Sequence, residues 1–399
     1  MTTQTDPGEA ADISAAKRKL ILHDALTFLS LATVTVLLFM VTLFLFRSFA
    51  AHRSELATRW AGRGEVALNA GRPELAIVDL RTALSYAPGQ RSYELLLARA
   101  LGNAGHTEEA YNYFIGLWDT QPGDGFINLE LARLAAKKKD AEAAVRYYRA
   151  SIYGTWEGDG ILRRREVRLE LARYLLAQHD FSTARTELLI AGGNAPANAA
   201  LDTTLANLLR QAGDNANALA YYQKAIAIKP HDPAALEDAG RIAFDLGSYA
   251  RAQRFLQKAL RELPTTPSNT PARRAAIGYL LNASGRILAM EPSQRLSAAE
   301  RVSRILTIRS LARKRLAACA SQLAAMGQQP SALQALNAQW LAPGASLSRS
   351  ALLRDPDQQD ATIQFSYGTV IVASQFCGAP TGDDALLLAL AKSPQGYTP

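Results

Sequence analysis

The sequence predicts an all-α protein in which a stack of helical hairpins follows one membrane-spanning helix and precedes a helical extension. Three observations predict it: a period of 34 residues in six copies between residues 57 and 266, an uncharged apolar run at 25–46, and an apolar stripe of helical spacing after the period is lost. At 399 residues the chain is long enough for an extended repeat array, which needs no central core.

Residues 1–24 read as a disordered cytoplasmic tail, because the first 16 are rich in Thr, Asp, Ala and Gly. The run ALTFLSLATVTVLLFMVTLFLF at 25–46 has 22 residues without a charge. At about 1.5 Å per residue it covers about 33 Å, against about 30 Å for a hydrocarbon core, so it can cross a bilayer once. A cleaved signal peptide, a buried core helix and an interfacial helix compete with this reading. The run exceeds the usual signal-peptide core of about 7–15 residues, which favours a single-pass anchor. Lys17, Arg18 and Lys19 precede it and Arg47, Arg53 and Arg59 follow it, so the local charge count is a tie. A long following domain translocates largely regardless of charge. The short basic N-terminus therefore decides the orientation: it lies in the cytoplasm, and the body lies outside an inner membrane.

Six repeats start at residues 57, 91, 125, 165, 199 and 233, spanning 57–90, 91–124, 125–158, 165–198, 199–232 and 233–266. The twentieth position is always Ala (Ala76, Ala110, Ala144, Ala184, Ala218, Ala252), and the eighth is always small (Gly64, Ala98, Ala132, Ala172, Ala206, Gly240). Two antiparallel helices approach closely only where one side chain is nearly absent. Position 24 supplies the larger partner: Leu80, Phe114, Tyr148, Leu188, Tyr222 and Leu256. Position 15 is Gly71, Gly105, Gly213 and Gly247 in four repeats, suited to a left-handed helix end. Position 32 is Pro88, Pro122, Pro196, Pro230 and Pro264 in five, stopping the second helix.

This pattern resembles the tetratricopeptide repeat family, and the chain as a whole is similar to bacterial members anchored by an N-terminal helix. Trp60 with Gly64 opens the first repeat in the family manner. The third repeat departs from it, with Trp156 in place of Pro and the extra stretch EGDGIL at 157–162, expected to loosen or bend the stack.

The resemblance implies a non-enzymatic scaffold whose first helices line a concave groove for a protein or peptide. Position 9 would face that groove, and it is Glu65, Arg99, Arg133, Arg173, Asn207 and Arg241. Four Arg in six places is an excess, and it reads as a ladder of guanidinium groups with Asn207 as its neutral rung. Glu130, Glu170 and Asp238 sit three residues before Arg133, Arg173 and Arg241, so a ladder paired within its own helices competes with a ligand-facing one. The two-carboxylate clamp of the family needs Lys and Asn where the first repeat has Ala61 and Glu65, which disfavours chaperone-tail recognition. A scaffold in the cell envelope is the leading reading; a cytoplasm-facing assembly factor for secretion, pilus or polysaccharide export is the alternative.

From residue 267 to 399 helical signals persist without the period. Thr270 and Pro271 suit a helix start. A long helix at about 296–323 carries Ile305, Ile308, Ala312, Leu316, Cys319 and Leu323 on one stripe, expected to pack on the last repeats as a cap. Between 327 and 360 the chain reads as loops around a short helix at 331–341. Residues 361–376 read as helix, and Thr381 with Asp384 resembles a capping pattern. Cys319 and Cys377, the two cysteines, are either a disulfide closing this region or two separate thiols.

Net charge is +8, Arg supplies 34 of the 44 basic residues, and residues 267–350 alone hold eleven basic against two acidic side chains. That segment is either an anionic-lipid or acidic-partner surface or a solvated helix face. No zinc spacing, RNP-like pattern or recognition helix accompanies the charge, so no nucleic acid partner is expected. His23, His52, His106, His179 and His231 lie at turns and flanks without ligand spacing. No phosphate loop, dinucleotide fingerprint, nucleophile elbow or metal helix occurs, so no catalytic residue, cofactor, metal or small-molecule substrate is expected.

Overall fold

The structure is a computed structural model that describes residues 7–263, 270–342, 347–394 and 396, apart from the side chains of 7–16 and 270. Among these residues it holds eighteen helices and no strand. The chain divides into two compact units, one ending at Val167 and the other beginning at Arg168.

The first unit begins with α1 (Pro7–Asn69), one unbroken helix of 63 residues. The tail expected at 1–24 is therefore helical from Pro7, and residues 1–6 lie outside the described residues. The physical reason is propagation: once the apolar run is helical, each added residue contributes a hydrogen bond without a new nucleus, and the AAKRKLIL stretch at 15–22 consists of helix-tolerant residues. Side chains along 25–46 are almost all exposed, with Phe28 at 76% and Phe44 at 71%, so no protein element covers the apolar run. Its hydroxyls bond back to the carbonyls one turn earlier, as Thr33 does to Leu29 (2.7 Å), Thr35 to Leu31 (2.8 Å) and Thr42 to Leu38 (2.8 Å). One helix of the described chain is thus long and apolar enough to cross a membrane, with its polar groups already satisfied.

The last part of α1 forms a hairpin with α2 (Pro73–Tyr86). It is followed by α3 (Arg91–Ala104) with α4 (Thr107–Thr120), and by α5 (Gly125–Lys137) with α6 (Ala141–Tyr153). α7 (Gly160–Ala177) starts in the first unit and ends in the second. The second unit continues with α8 (Phe181–Gly193), α9 (Ala199–Gln211), α10 (Asn215–Ile228), α11 (Pro233–Asp245) and α12 (Tyr249–Glu262). Its non-repeat part is α13 (Thr270–Met290), α14 (Ala298–Ala325), α15 (Ser331–Leu341), α16 (Arg349–Arg354), α17 (Pro356–Cys377) and α18 (Gly382–Ala391).

The second helix of every hairpin begins at position 17 of its repeat. Each is entered through a left-handed residue at position 15: Gly71, Gly105, Gly213 and Gly247 have φ between 70° and 89°, and Lys139 and His179 adopt 62° and 61° in the same place. The turn is therefore kept even where a side chain opposes it. Asp140, Asp180 and Asp214 at position 16 then cap the second helices, accepting from the backbone N–H of Ala143, Thr183 and Asn217. Pro88, Pro122, Pro196 and Pro230 lie two or three residues past helix ends, while Pro264 lies outside the described residues. A Cβ built on Gly64 would stand 2.6 Å from Leu80 Cγ, and one on Gly240 would stand 2.6 Å from Leu256 Cγ. The small eighth position and the large twenty-fourth are in direct contact, which sets the hairpin spacing.

The departures at the third repeat have a local cause. Trp156 closes back instead of stopping the chain as Pro would, its indole N–H donating to Ser151 O at 2.9 Å. Thr155 N donates to Gly123 O and Gly125 N to Thr155 O, both at 2.8 Å, an isolated bridge that ties α6's end to α5's start. The stretch at 157–162 is not simply a loose insert: it is helical from Gly160, so α7 gains a turn before its repeat begins, and the border between the two units falls in that helix.

In the second unit α13 packs on α12 and α11, while α14 packs chiefly on α17. The cap expected from α14 is thus delivered by α13. Ile305, Ile308, Ala312, Leu316, Cys319 and Leu323 are all buried, in a core shared with Val370, Ala373 and Leu387. The loops expected at 327–360 are largely helical, since α16 and the first turn of α17 occupy most of 349–360, and residues 343–346 lie outside the described residues. Thr381 stands at the start of α18 but makes no capping hydrogen bond, and the Thr270 side chain lies outside the described residues. Cys319 and Cys377 are joined by a disulfide across a sequence separation of 58, linking α14 to the end of α17.

Two predictions follow from these turns and this bridge. Lys139→Gly and His179→Gly should each raise stability by up to about 1 kcal/mol, because glycine relieves the left-handed penalty of an L side chain; a urea midpoint unchanged or lowered in both variants would contradict this. Closing a loop of 58 residues is worth about 4 kcal/mol in the chain-entropy model. Dithiothreitol should therefore lower the urea midpoint, and peptide mapping should recover a Cys319–Cys377 linked peptide only without reductant.

Candidate functional site

The ninth-position side chains project from the first helices of the hairpins, and the two units carry separate sets of them. In the first unit Glu65 is exposed at the end of α1. Arg99 is half-buried on α3, with its guanidinium 5.7 Å from the centroid of the Phe126 ring on α5. That contact is a cation–π attraction that orients the group without neutralising it. Arg133 is exposed on α5 and bonded to Glu130 Oε1 at 2.7 Å, a pair three residues apart on one helix. An exposed pair of this kind is worth about 0.2–0.5 kcal/mol, so a stronger carboxylate can displace it.

In the second unit Arg173 is exposed on α7. Arg241 on α11 does not pair with Asp238, as its spacing suggests; it bonds Glu237 Oε1 at 2.9 Å. Arg273 of α13 reaches the other oxygen of Glu237 at 2.5 Å. Glu237 is therefore a buried hub between the sixth repeat and the helix after it, at 9% exposure. Asp238 serves another purpose. The Tyr222 hydroxyl lies 2.6 Å from Asn207 Oδ1 and 3.2 Å from Asp238 Oδ2, and it donates to this pair of acceptors. Burial first and the Asp238 charge second push the Tyr222 ionisation well above the ordinary phenol range, so the hydroxyl stays a donor. Asn207, the neutral rung, is thus held by its own hairpin partner. Its side-chain carbonyl is engaged, which leaves its amide N–H groups for other contacts.

The histidines gain partners that spacing along the chain does not reveal. His106 Nε2 lies 3.2 Å from Glu74 Oε1 of the preceding hairpin, and His231 Nδ1 lies 2.8 Å from Glu262 Oε1. Each is a two-residue contact at the surface. Among the described residues no group of three or more His, Cys, Asp or Glu side chains could hold a metal ion.

The basic excess of the C-terminal part proves to be mostly internal. Arg274 donates to Leu263 O (2.8 Å), Arg304 to Leu288 O (2.7 Å) and Glu291 O (3.0 Å), and Arg315 to Gly378 O (3.1 Å). These acceptors are carbonyls at or just past helix C-termini, where cations also complement the helix dipole. Neither a lipid-facing patch nor a solvated face describes them. Arg309 instead stacks over Trp340, 4.4 Å from its centroid, beside the exposed Arg313 and Lys314.

A cavity of about 760 Å³ opens within the second unit. Its walls are the turn at 247–251 that starts α12, the 291–295 loop between α13 and α14, and facing positions of α14 and α17. Sequence reading missed it because its lining comes from one repeat turn and three non-repeat segments. No single motif marks it.

Two tetratricopeptide repeat family models match the chain, over residues 169–233 and 209–269. No curated protein matches it. Among solved structures, it is similar to MamA (17% identity, 42% of this chain and 94% of that one, TM-score 0.33) and to PilW, a type IV pilus biogenesis factor (15% identity, 53% and 95%, TM-score 0.39). It is also similar to the C-terminal part of a repeat protein from Cytophaga hutchinsonii (10% identity, 61% and 92%, TM-score 0.43). Likenesses of this degree carry nothing about partners. With family models matched over 169–269 and every second helix entered at the same repeat position, the chain carries tetratricopeptide repeats.

Proposed function

We propose that this protein is a membrane-anchored, non-enzymatic scaffold that binds a protein or peptide partner on the first-helix faces of its repeats, in the cell envelope. The observation that carries the reading is the presentation of exposed guanidinium groups at one repeat position: Arg133, Arg173 and Arg241, with Arg99 half-buried beside an aromatic ring. Such groups recognise carboxylates and backbone carbonyls through paired N–H donors. The mechanism is recognition without turnover. Anchoring by residues 25–46 is supported by the uncovered apolar surface of α1 and by its self-satisfied hydroxyls. An extracytoplasmic body is supported by the Cys319–Cys377 bond, since disulfides persist in oxidising compartments.

Two experiments test this reading. Replacing Arg99, Arg133 and Arg173 together by Ala removes charge-assisted hydrogen bonds of about 1.5 kcal/mol or more each, so crosslinked partners should fall by more than tenfold. A partner profile identical to that of the parent chain would remove the groove assignment. For compartment, an export-dependent reporter fused after residue 399 should be active. If only a cytoplasmic reporter works there, the body faces the cytoplasm, as an assembly factor for export machinery would.

A further inference from the structure

The cavity in the second unit has features that the repeat faces do not explain. Two of its arginines are committed to the fold: Arg301 bonds Asp360 Oδ1 at 2.6 Å and Pro292 O at 3.1 Å, and Arg304 holds the carbonyls of Leu288 and Glu291. Two others are not. Arg251 and Arg295 line the cavity, are exposed, and among the described residues their side chains make no hydrogen bond or ion pair. The cavity is also lined by the half-buried Glu291, which has no ion-pair partner among the described residues.

Tyr367 on α17 adds a neutral donor to the cavity wall. It is 2% exposed and lines the cavity, yet among the described residues its hydroxyl has no hydrogen-bond partner. Among the described residues Arg315 Nε is the one buried side-chain nitrogen or oxygen without a partner, so the Tyr367 hydroxyl is open to the cavity, where it can donate to a bound acceptor. Burial, and after it the Glu291 charge, raises the Tyr367 ionisation well above that of an ordinary phenol, which keeps the hydroxyl a donor.

We propose that this cavity is a second binding site, separate from the repeat faces, and that it takes a segment of an acidic polypeptide. Arg251 and Arg295 receive carboxylates, the Tyr367 hydroxyl donates to a carboxylate or backbone carbonyl, and Glu291 accepts backbone N–H groups. The mixed lining is what selects a peptide. A bare phosphate offers acceptors only and would be repelled by Glu291, whereas a peptide carries both donors and acceptors. The volume, about 760 Å³, is within the 300–1,000 Å³ range of pockets that enclose organic ligands and is far larger than one oxyanion fills.

The test uses the full chain in detergent micelles and a fluorescein-labelled hexaglutamate peptide, with labelled hexalysine as control and inorganic pyrophosphate as competitor. Hexaglutamate should bind and hexalysine should not. The double variant Arg251→Gln, Arg295→Gln should weaken binding about tenfold or more, because each loses a charge-assisted contact. Tyr367→Phe, which keeps the ring packing, should weaken it several-fold with an unchanged melting temperature. Arg313→Gln with Lys314→Gln, exposed on α14 and outside the lining, should leave it unchanged, while Arg99→Gln with Arg133→Gln reads out any binding to the repeat face. The proposal is overturned if hexaglutamate does not bind, or if pyrophosphate binds where hexaglutamate does not. It is equally overturned if neither the Arg251/Arg295 nor the Tyr367 variant alters affinity, or if the loss appears only in the Arg99/Arg133 variant, which would move the peptide to the repeat face and leave the scaffold reading intact.

Discussion

Everything in this chain depends on how closely two helices of a hairpin can approach. The eighth residue of each repeat is Gly or Ala, and the twenty-fourth is Leu, Phe or Tyr. Gly64 and Leu80, and again Gly240 and Leu256, meet so tightly that even a methyl group on the glycine would overlap the leucine. Once this contact fixes the spacing, the alanines at position 20, buried to 0% in every repeat, and the large residues beside them close the core of each hairpin. The ninth residue follows the eighth around the helix, so the same packing that buries position 8 turns position 9 outwards. The placement of the arginines is thus a consequence of the hairpin and needs no separate design.

Arginine has a second use that composition alone conceals. Its side chains reach carbonyls at helix ends throughout: Arg53 at Tyr86, Arg91 at Leu117, Arg274 at Leu263, Arg304 at Leu288 and Glu291, and Arg315 at Cys377 and Gly378. A chain built of many short helices has many C-terminal carbonyls to satisfy. A long guanidinium stem with several donors meets that need while complementing the dipole, and lysine with its compact ammonium does so less well. The basic charge of the C-terminal part is therefore largely spent on holding helices together. What remains free there among the described residues, Arg295, Arg313 and Lys314, is correspondingly conspicuous.

The repeats were legible because their signals are local and periodic: a small residue, a turn residue and a proline recur at fixed offsets, each with its own physical reason. The left-handed turn at Lys139 and His179 was not legible, since neither residue favours it; the neighbouring repeats impose it. Nor was the aspartate at position 16, whose capping role needs the helix start to be known first. The stripe of α14 could be read from spacing, but its packing partner could not, because an apolar face does not say which other face will cover it. The ninth-position arginines could be listed from sequence. Their engagement could not, since Glu237 rather than Asp238 takes Arg241, and Tyr222 claims Asn207 from across the hairpin.

The continuity of α1 joins these points into one mechanical statement. Because the apolar run and the first hairpin share one helix, only helix separates the apolar run from the first repeat. Arg53 strengthens this junction by capping Tyr86, the last residue of α2, at 2.9 Å, which extends the hairpin's hold on α1 to four residues before the first repeat begins. From the end of the apolar run at Phe46 to Ala57 is 11 residues, or about 16 Å of helix. On the proposed anchoring, a first repeat held this way stands at a fixed distance from the membrane surface, which suits a partner that comes close to the bilayer. A flexible linker would have sampled a wide volume; a rigid helix trades that reach for a defined position.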